Sequence, residues 1–468
     1  MNDKVPYEKY LLLYIPWAIS VLFSSSPLYS YFAAWLGSFY IFFMTLTGTI
    51  KPLPKDLSFA EQIMRPIILV QIIFAGYMAS TSIFYLLNIY GYTNFHAGIS
   101  NFLVDTNKLA IAAQCQRYYC LGHAALVTGI LVVMHYPKEQ KYKVETKDIA
   151  SLLLVIAIFS LPISILFTTI PGLSQFYYQF NSLSFMAGTL ALAFAIPQKK
   201  VWNTGICLFL YFTNFYAALL SGFKEPIILS VMVLGIFLYP RYKKIVLITF
   251  IPALLLLFVV LPTYAAVFRQ NAWSGDASSE DASQLALDAA LNSNGDIEDT
   301  NWDFLVFRLS EIDMFTEFVQ STPDKIDFYG FTLLKQSMIA IVPRIFWPSK
   351  PSTEELIMQR VYDAGVISRN STVSAKPAFV VDAYLSDGAT GVFISLLIYG
   401  MVCQFIAQKA EHLFGGYLLG TALIFSGLFQ IFWRGLSFEF IINTVFWSYI
   451  TMYVIFRLLK SRGIIQVA

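Results

Sequence analysis

The sequence has few charged residues for its length. Only 13% of its 468 residues are Asp, Glu, Lys or Arg, whereas 57% are hydrophobic. Its mean hydropathy is +0.63. Because a soluble domain carries about 25% charged residues, this composition excludes an ordinary soluble enzyme and indicates a membrane protein.

Cysteine, histidine and the familiar cofactor motifs are also scarce or missing. The four cysteines lie in or beside apolar segments, and residues 268–388 contain neither cysteine nor histidine. No phosphate-binding P-loop, dinucleotide fingerprint or HExxH motif occurs, and no basic aromatic patch points to nucleic acid. The sequence therefore predicts no disulfide framework, no metal site, no cofactor and no nucleic-acid partner.

Long apolar runs dominate what the sequence does contain. A helix needs roughly 20 apolar residues to cross a bilayer. Twelve segments qualify within a few residues: 8–25, 30–49, 66–88, 118–136, 149–170, 178–196, 201–221, 226–240, 245–267, 390–408, 416–433 and 438–456. They predict an all-α polytopic membrane protein with about 12 transmembrane helices, and no cleaved signal peptide, since the first run is followed at once by others.

Lysine and arginine concentrate in alternate loops. With twelve spans both termini lie on one side, and the short segments of that side hold most of the cations. The positive-inside rule therefore predicts cytoplasmic termini and places the single long loop outside. The expected organisation is a bundle of nine spans in residues 1–267, an outer loop in 268–389 and three further spans in 390–468. The short outer loops hold only four cations: Lys108, Arg117, Lys224 and Arg434.

The long loop divides into four parts by composition. The acidic stretch 275–303 reads as a solvated connector. Residues 301–319 have helical apolar spacing and predict one amphipathic helix, with Arg308 and Glu311 on its polar face. The apolar run 331–346 is too short to cross a bilayer, so it predicts a re-entrant or interfacial helix ended by a proline. Residues 353–376 predict a polar helix followed by a loop.

The segment IVPRIFWPSKPS at 341–352 is the strongest candidate for a site. Its three prolines fix the backbone and hold two cations, Arg344 and Lys350, on an irregular segment. Snorkelling at the membrane interface is the ordinary explanation for a single cation of this kind. Several outer cations from distant parts of the chain could nevertheless meet in one cleft and bind a phosphate or an anionic lipid headgroup.

Five stretches of the sequence occur in an order that resembles a known family. They are SGFKEPIILS at 221–230, the helix from Arg308 to Glu317, VPRIFWPSKPS at 342–352, the approach from Lys376 to Phe393, and FWRGLSFEF at 432–440. The pattern is similar to Wzy-type oligosaccharide repeat-unit polymerases of O-antigen and enterobacterial common antigen assembly. The resemblance covers roughly the C-terminal half, and the element WP-x-[KR]-P is its most specific part. Where the family often has Arg, this chain has Lys224, a point charge in place of a bidentate fork.

The resemblance implies a GT-C-like fold in the bacterial cytoplasmic membrane and a glycosyl transfer on its outer face. The growing glycan would leave its undecaprenyl pyrophosphate and join a new lipid-linked repeat unit, with inversion and without metal. Such a protein would contact membrane lipids, and a chain-length regulator and a flippase are further candidate partners. The implied roles are stabilisation of the leaving pyrophosphate by Lys224, Arg344 and Arg434, its binding by Lys350, Arg308 and Lys376, and base catalysis by Asp313, Asp382 or Glu311.

Three other functions stay open at this level. Metal-dependent GT-C transferases carry an acidic motif in the first outer loop, and SSSPLYS at 24–30 has no acid. O-antigen ligases resemble the polymerases but use a histidine in the large outer loop. A lipid-linked glycan flippase or transporter would be expected to show ionisable residues within its spans or internal repeats.

Overall fold

The computed structural model describes residues 6–92, 103–136, 140–145, 148–173, 175–220, 222, 224–272, 278–292, 301–370 and 374–468, without the side chains of 224–226, 292 and 308. The helices are α1 Glu8–Leu11, α2 Ile15–Leu22, α3 Pro27–Leu46, α4 Pro66–Ile72, α5 Ile83–Ile89, α6 Thr106–Val133, α7 Ile149–Thr169, α8 Gln175–Ala195, α9 Val201–Leu219, α10 Lys224–Ala272, α11 Ser279–Asn292, α12 Ile312–Ser321, α13 Thr332–Ile341, α14 Thr353–Asp363, α15 Phe379–Leu413, α16 Ser426–Leu428, α17 Ile431–Arg434 and α18 Phe438–Ser461. A 3₁₀ turn occupies Leu12–Tyr14, and π-helical segments occupy Ile73–Ser80, Phe304–Leu309 and Leu418–Phe425.

The architecture is all-α, as expected, apart from one small ribbon. Strands β1 Tyr142–Val144 and β2 Ile465–Val467 pair antiparallel, a feature that the sequence had not indicated. Within the described residues, five helical stretches are long and apolar enough to cross a membrane by length and composition: Pro66–Ile89, Ile149–Thr169, Ile227–Ala272, Phe379–Leu413 and Phe438–Ser461. This composition is that of a membrane protein.

Two of these stretches contain a sharp change of direction. Tyr242 in α10 has non-helical dihedral angles, and a Cβ on Gly235 would lie 3.0 Å from Phe250 Cδ1. Residues fifteen apart would be about 22 Å apart along one straight helix, so the chain turns back at Tyr242. In α15 the break is at Asp387 and Gly388. Because of this break, the first turns of α15 pack against the turns that follow it.

The parallel pair α6 and α15 lies at the centre of the bundle. A Cβ on Gly129 would clash with the backbone of Leu397, and a Cβ on Gly400 would clash with the backbone of Leu126. Glycine at these positions lets the two backbones touch, which is the usual means of close packing between membrane helices. The two helices run side by side along the length of the bundle, from one end to the other.

The ribbon end of the bundle contains β1 and β2. There Lys51 Nζ donates to the carbonyl oxygens of Leu131 and Met134 at 2.8 and 2.7 Å, at the end of α6. The opposite, loop end contains α12 to α14. There the Tyr119 hydroxyl donates to the Ser310 carbonyl oxygen at 3.0 Å, and the Tyr384 hydroxyl to the Thr322 carbonyl oxygen at 2.6 Å. At each end, the segments that these hydrogen bonds join were predicted to lie on the same side of the membrane from the distribution of Lys and Arg.

The acidic stretch contains a helix where a solvated connector was expected. Within the described part, α11 places Ala282, Ala286 and Ala290 four residues apart against Tyr264 and Phe268 of α10. Alanine has the highest helix propensity, which favours a helix here. The row of alanines forms the buried face of α11, and the acidic side chains lie on its exposed face. The prediction of a connector was wrong for α11, because overall acidity concealed this periodicity. Residues 275–277 and 293–300 of the same stretch lie outside the described residues.

Residues 301–319 form two helical pieces, so the prediction of one continuous helix was wrong. The π-helical segment ends at Leu309, and Glu311 has φ 54° and ψ 12° before α12 begins. A left-handed conformation costs a non-glycine residue about 1–2 kcal/mol. Burial of Ile312 and Phe315 on α12 opposes this cost. Helix α13, by contrast, lies within the predicted run 331–346, and it ends at Ile341 because Val342 precedes a proline and is extended.

Candidate functional site at the loop end

The proline-rich segment after α13 presents one exposed cation. Lys350 is buried, and its Nζ donates to the carbonyl oxygens of Ala340 at 3.0 Å and Val342 at 2.6 Å. These carbonyls lie at the C-terminal end of α13, where helical partners run out. Burial lowers the pKa of Lys350, and the charge of Arg344 lowers it further, so the two cations are near each other. This geometry favours a structural role for Lys350 and leaves Arg344 as the exposed cation of the segment.

Asp313 lies in the first turn of α12 and is half-buried. Burial raises the pKa of Asp313, while a hydrogen bond with Tyr85 and the charge of Lys108 oppose this rise. The Tyr85 hydroxyl also lies 3.4 Å from Thr316 Oγ1, so the tyrosine contacts the same turn of the helix. A carboxylate with a raised pKa that is partly open to solvent is suited to accept a proton.

Glu311 precedes this helix in the strained backbone conformation described above. Backbone strain of this kind often persists at functional sites. Its side chain is half-exposed, two residues from Asp313. The structure therefore keeps two of the three candidate bases, Asp313 and Glu311, at one place.

Asp382, the third candidate base, is enclosed in a buried ion cluster. Its Oδ2 accepts from Arg360 Nη2 at 2.9 Å and from the Phe438 backbone N–H at 2.9 Å. Arg360 also donates to both carboxylate oxygens of Glu439, at 2.7 and 2.8 Å. We call Arg360, Asp382 and Glu439 the loop-end cluster. Since Asp382 is fully buried, this geometry favours a structural role over that of a base.

Sequence reasoning assigned no role to Arg360 or Glu439. The available signal was local: Arg360 stands between Ile357 and Val361, and Glu439 stands between two phenylalanines. A charge within an apolar helix face is usually paired when it is buried. The partners could not be read, because Arg360 and Glu439 are 79 residues apart.

Lys376 and Arg434 border the loop-end cluster. Lys376 Nζ lies 3.3 Å from Glu354 Oε2 and 4.8 Å from the ring centre of Phe440, the neighbour of Glu439. Arg434 is exposed and ends α17, where Gly435 has φ 60°. The carbonyl oxygen of Gly435 accepts from the backbone N–H that begins α15. Both cations therefore lie near the first residues of the last long helices.

The side chains of Lys224 and Arg308 lie outside the described residues. The backbone of Lys224 begins α10, and that of Arg308 belongs to a π-helical segment. Thus the loop end brings Arg344 near Lys350, places Lys376 and Arg434 beside the cluster that contains Asp382, and keeps Asp313 beside α5 and α6. Among the described residues, no group of three or more His, Cys, Asp or Glu side chains is placed to hold a metal ion.

The fold and the site together define an all-α protein with membrane-length helices and a charged, helix-covered end. A family model described as "Domain of unknown function (DUF8712)" matches residues 15–467, and the chain belongs to that family. No curated protein and no solved structure gives a significant match to the chain.

Proposed function

We propose that the protein is a polymerase of undecaprenyl-pyrophosphate-linked oligosaccharide repeat units. The observation that carries this proposal is the half-buried Asp313, a carboxylate suited to base catalysis, at the same end of the bundle as the exposed Arg344 and Arg434. Transfer of a glycan from a pyrophosphate carrier requires these two kinds of group. The resemblance of the proline-rich segment to Wzy-type polymerases supports the same reaction.

In this reaction an acceptor hydroxyl oxygen attacks the anomeric carbon of the growing glycan. The bond from that carbon to the pyrophosphate oxygen breaks, and the lipid pyrophosphate leaves with the electron pair. Asp313 takes the hydroxyl proton, which can add roughly 10²–10⁴-fold to the rate. Arg344 and Arg434 stabilise the departing charge, and one such donor is worth about 3–4 kcal/mol of the barrier. Direct attack inverts the anomeric centre.

The membrane arrangement belongs to the same proposal. We infer about 12 spans in a GT-C-like bundle, with both termini cytoplasmic and the loop end outside the bacterial cytoplasmic membrane. In support, three segments assigned to the cytoplasmic side meet at the ribbon end, because β1 pairs with β2 and Lys51 binds the end of α6. The partners are membrane lipids and lipid-linked glycans, with a chain-length regulator and a flippase as candidates.

A polymerisation assay tests this function directly. Purified protein is given undecaprenyl-pyrophosphate repeat units of its host, with and without EDTA, and the glycan lengths are resolved on a gel. We expect a ladder that survives EDTA and is lost in Asp313→Asn and Arg344→Ala. The matched control is Lys335→Ala, an exposed cation of α13 that has no role in the proposal. A folded wild-type protein that produces no lengthening would exclude the polymerase, and transfer only to another acceptor would favour a ligase.

One observation favours the runner-up function, a lipid-linked glycan flippase or transporter. His123 is fully buried within the bundle, and its Nε2 lies 3.3 Å from Gln71 Oε1. The same amide oxygen accepts from the Thr45 hydroxyl at 2.8 Å. Ionisable groups within membrane bundles often serve transport. Glycan-lipid translocation in liposomes that depends on His123 would favour this alternative.

A further inference from the structure

The segment from α13 to the proline-rich turn carries an exposed apolar surface. Leu334 and Met338 are four residues apart and point outward from the same side of α13. Phe331 before this helix and Phe346 after it are 78% and 77% exposed. We call these four residues the apolar strip. Contiguous exposed apolar surface usually marks a contact with lipid, ligand or protein.

The strip lies alongside membrane-length helices. The Trp447 indole N–H of α18 donates to the Ile341 carbonyl oxygen at 2.8 Å. Trp447 is nine residues into α18, about 14 Å from its start. On the other side, a Cβ on Gly172 would lie 2.8 Å from the backbone nitrogen of Ile345, just past the end of α7. The segment therefore packs beside α18 and the end of α7, and its strip remains exposed.

Arg344 gives this surface a charged edge. It is exposed between α13 and Phe346, and the buried ammonium group of Lys350 holds the turn beneath it through two carbonyls. A guanidinium offers five N–H donors in a rigid fork that matches phosphate oxygens. The surface thus combines a guanidinium that can bind phosphate oxygens with the apolar strip, and this charge distinguishes it from lipid-facing helix surface.

We propose that this segment is the lateral docking site of a polyprenyl pyrophosphate, with the diphosphate on Arg344 and the isoprenoid chain along the apolar strip. The inference rests on the proposed function, because it assigns the place of the lipid carrier in that reaction. The carrier then enters from the side of the bundle within the leaflet, and its sugar extends toward the loop end. A diphosphate presents more oxygens and charge to the fork than the phosphodiester of a glycerophospholipid does.

Photocrosslinking in nanodiscs tests this site without any turnover. A benzophenone amino acid replaces Met338, undecaprenyl pyrophosphate is added, and adducts are measured by intact-protein mass spectrometry. We expect an adduct that falls at least about tenfold in Arg344→Ala, since a hydrogen bond to a charged group is worth about 1.5–3 kcal/mol. Lys335→Ala should keep it. As a control, the benzophenone amino acid is placed at Ile398, which is half-exposed on α15. Labelling at this position should not depend on Arg344.

Three results would overturn the proposal. They are an adduct at position 338 that is insensitive to Arg344→Ala in a folded protein, equal labelling by phosphatidylglycerol, and displacement by inorganic pyrophosphate at the concentration at which the lipid binds. Displacement by inorganic pyrophosphate would mean that the apolar strip contributes nothing to the affinity for the lipid. Because no glycan is transferred in this experiment, specific labelling stands even if the polymerisation assay fails. Polymerisation without specific labelling refutes the docking site alone.

Discussion

The two ends of the bundle each contain one buried arginine between two carboxylates, but the surroundings differ. At the ribbon end, Arg65 donates to Asp56 and Glu411 through four hydrogen bonds of 2.6–3.0 Å and lies over the ring of Tyr136 at 3.9 Å. We call these three charged residues the ribbon-end cluster. Asp56 is half-exposed, and Glu411 also accepts from the Thr421 hydroxyl. Water therefore reaches one carboxylate, and each arginine nitrogen has a partner.

The loop-end cluster is buried throughout and less completely paired. Among the described residues, Arg360 Nε and Asp382 Oδ1 have no hydrogen-bond partner. One cation faces two carboxylates, and all three are almost without solvent contact. Buried charge is costly unless it is matched, and here a single guanidinium faces two carboxyl groups. The comparison indicates that the charges of the ribbon-end cluster are well compensated. The charges of the loop-end cluster, at the end that carries the proposed site, are compensated less completely.

The largest effect is expected from removing the arginine of the loop-end cluster. Arg360→Met leaves two buried carboxylates facing each other, and breaking a buried pair costs about 3–5 kcal/mol. The free energy of unfolding in mixed micelles measures this loss. Unchanged stability would mean that the carboxylates are neutral or hydrated in the native protein.

The same replacement at the ribbon end should cost less. Arg65→Met leaves Asp56 solvated and Glu411 with its hydrogen bond from Thr421. We expect a loss at the lower end of the same range, about 3 kcal/mol. The two variants are compared under identical conditions, and a larger loss for Arg65→Met would contradict the difference between the clusters.

Neutralising one carboxylate of each cluster should also change the free energy of unfolding by different amounts. Asp382→Asn removes one of the two carboxyl groups and keeps an oxygen for Arg360 and Phe438, so stability should change by no more than about 1 kcal/mol. Polymerisation activity should be retained. Glu411→Gln instead removes a charged hydrogen-bond partner of Arg65, at about 1.5–3 kcal/mol. Loss of polymerisation in folded Asp382→Asn would restore Asp382 as the base.

The smallest effect is a pH dependence at Asp313, which is only half-buried. Its pKa is raised by burial, so between the unfolded value of about 3.9 and the raised folded value the native protein holds more protons than the unfolded chain. Wild-type stability should therefore fall slightly as pH rises through that window. Unfolding titrations at several pH values should show this slope weakened in Asp313→Asn, and an identical slope would refute the raised pKa.

Several features could be predicted because their causes are local. Helix α13 ends before Pro343 because proline restricts the residue that precedes it. The apolar runs that match the long helices follow from composition alone. Missed features had non-local causes. Glu411 and Arg65 are 346 residues apart, and the left-handed Glu311 arises where α12 meets the bundle, with Tyr119 on the preceding carbonyl.

The candidate site divides in the same way. The sequence made Arg344 and Lys350 candidates for phosphate binding and Asp313 and Asp382 candidates for the base, and all four lie at the loop end of the described structure. Sequence alone could not say which of them would reach a ligand. Burial separates them, since Lys350 binds two carbonyls and Asp382 binds Arg360, whereas Arg344 is exposed and Asp313 is half-buried.

By itself the sequence determined that this chain is helical and apolar, with its cations on alternate loops, because these properties depend on neighbouring residues and on the solvent that each segment meets. The tertiary structure decided which charges pair and which are exposed, and it raised the pKa of Asp313 by burial. Those outcomes depend on contacts between residues far apart in the chain, and the cost of burying a charge is set by the partners that folding brings to it.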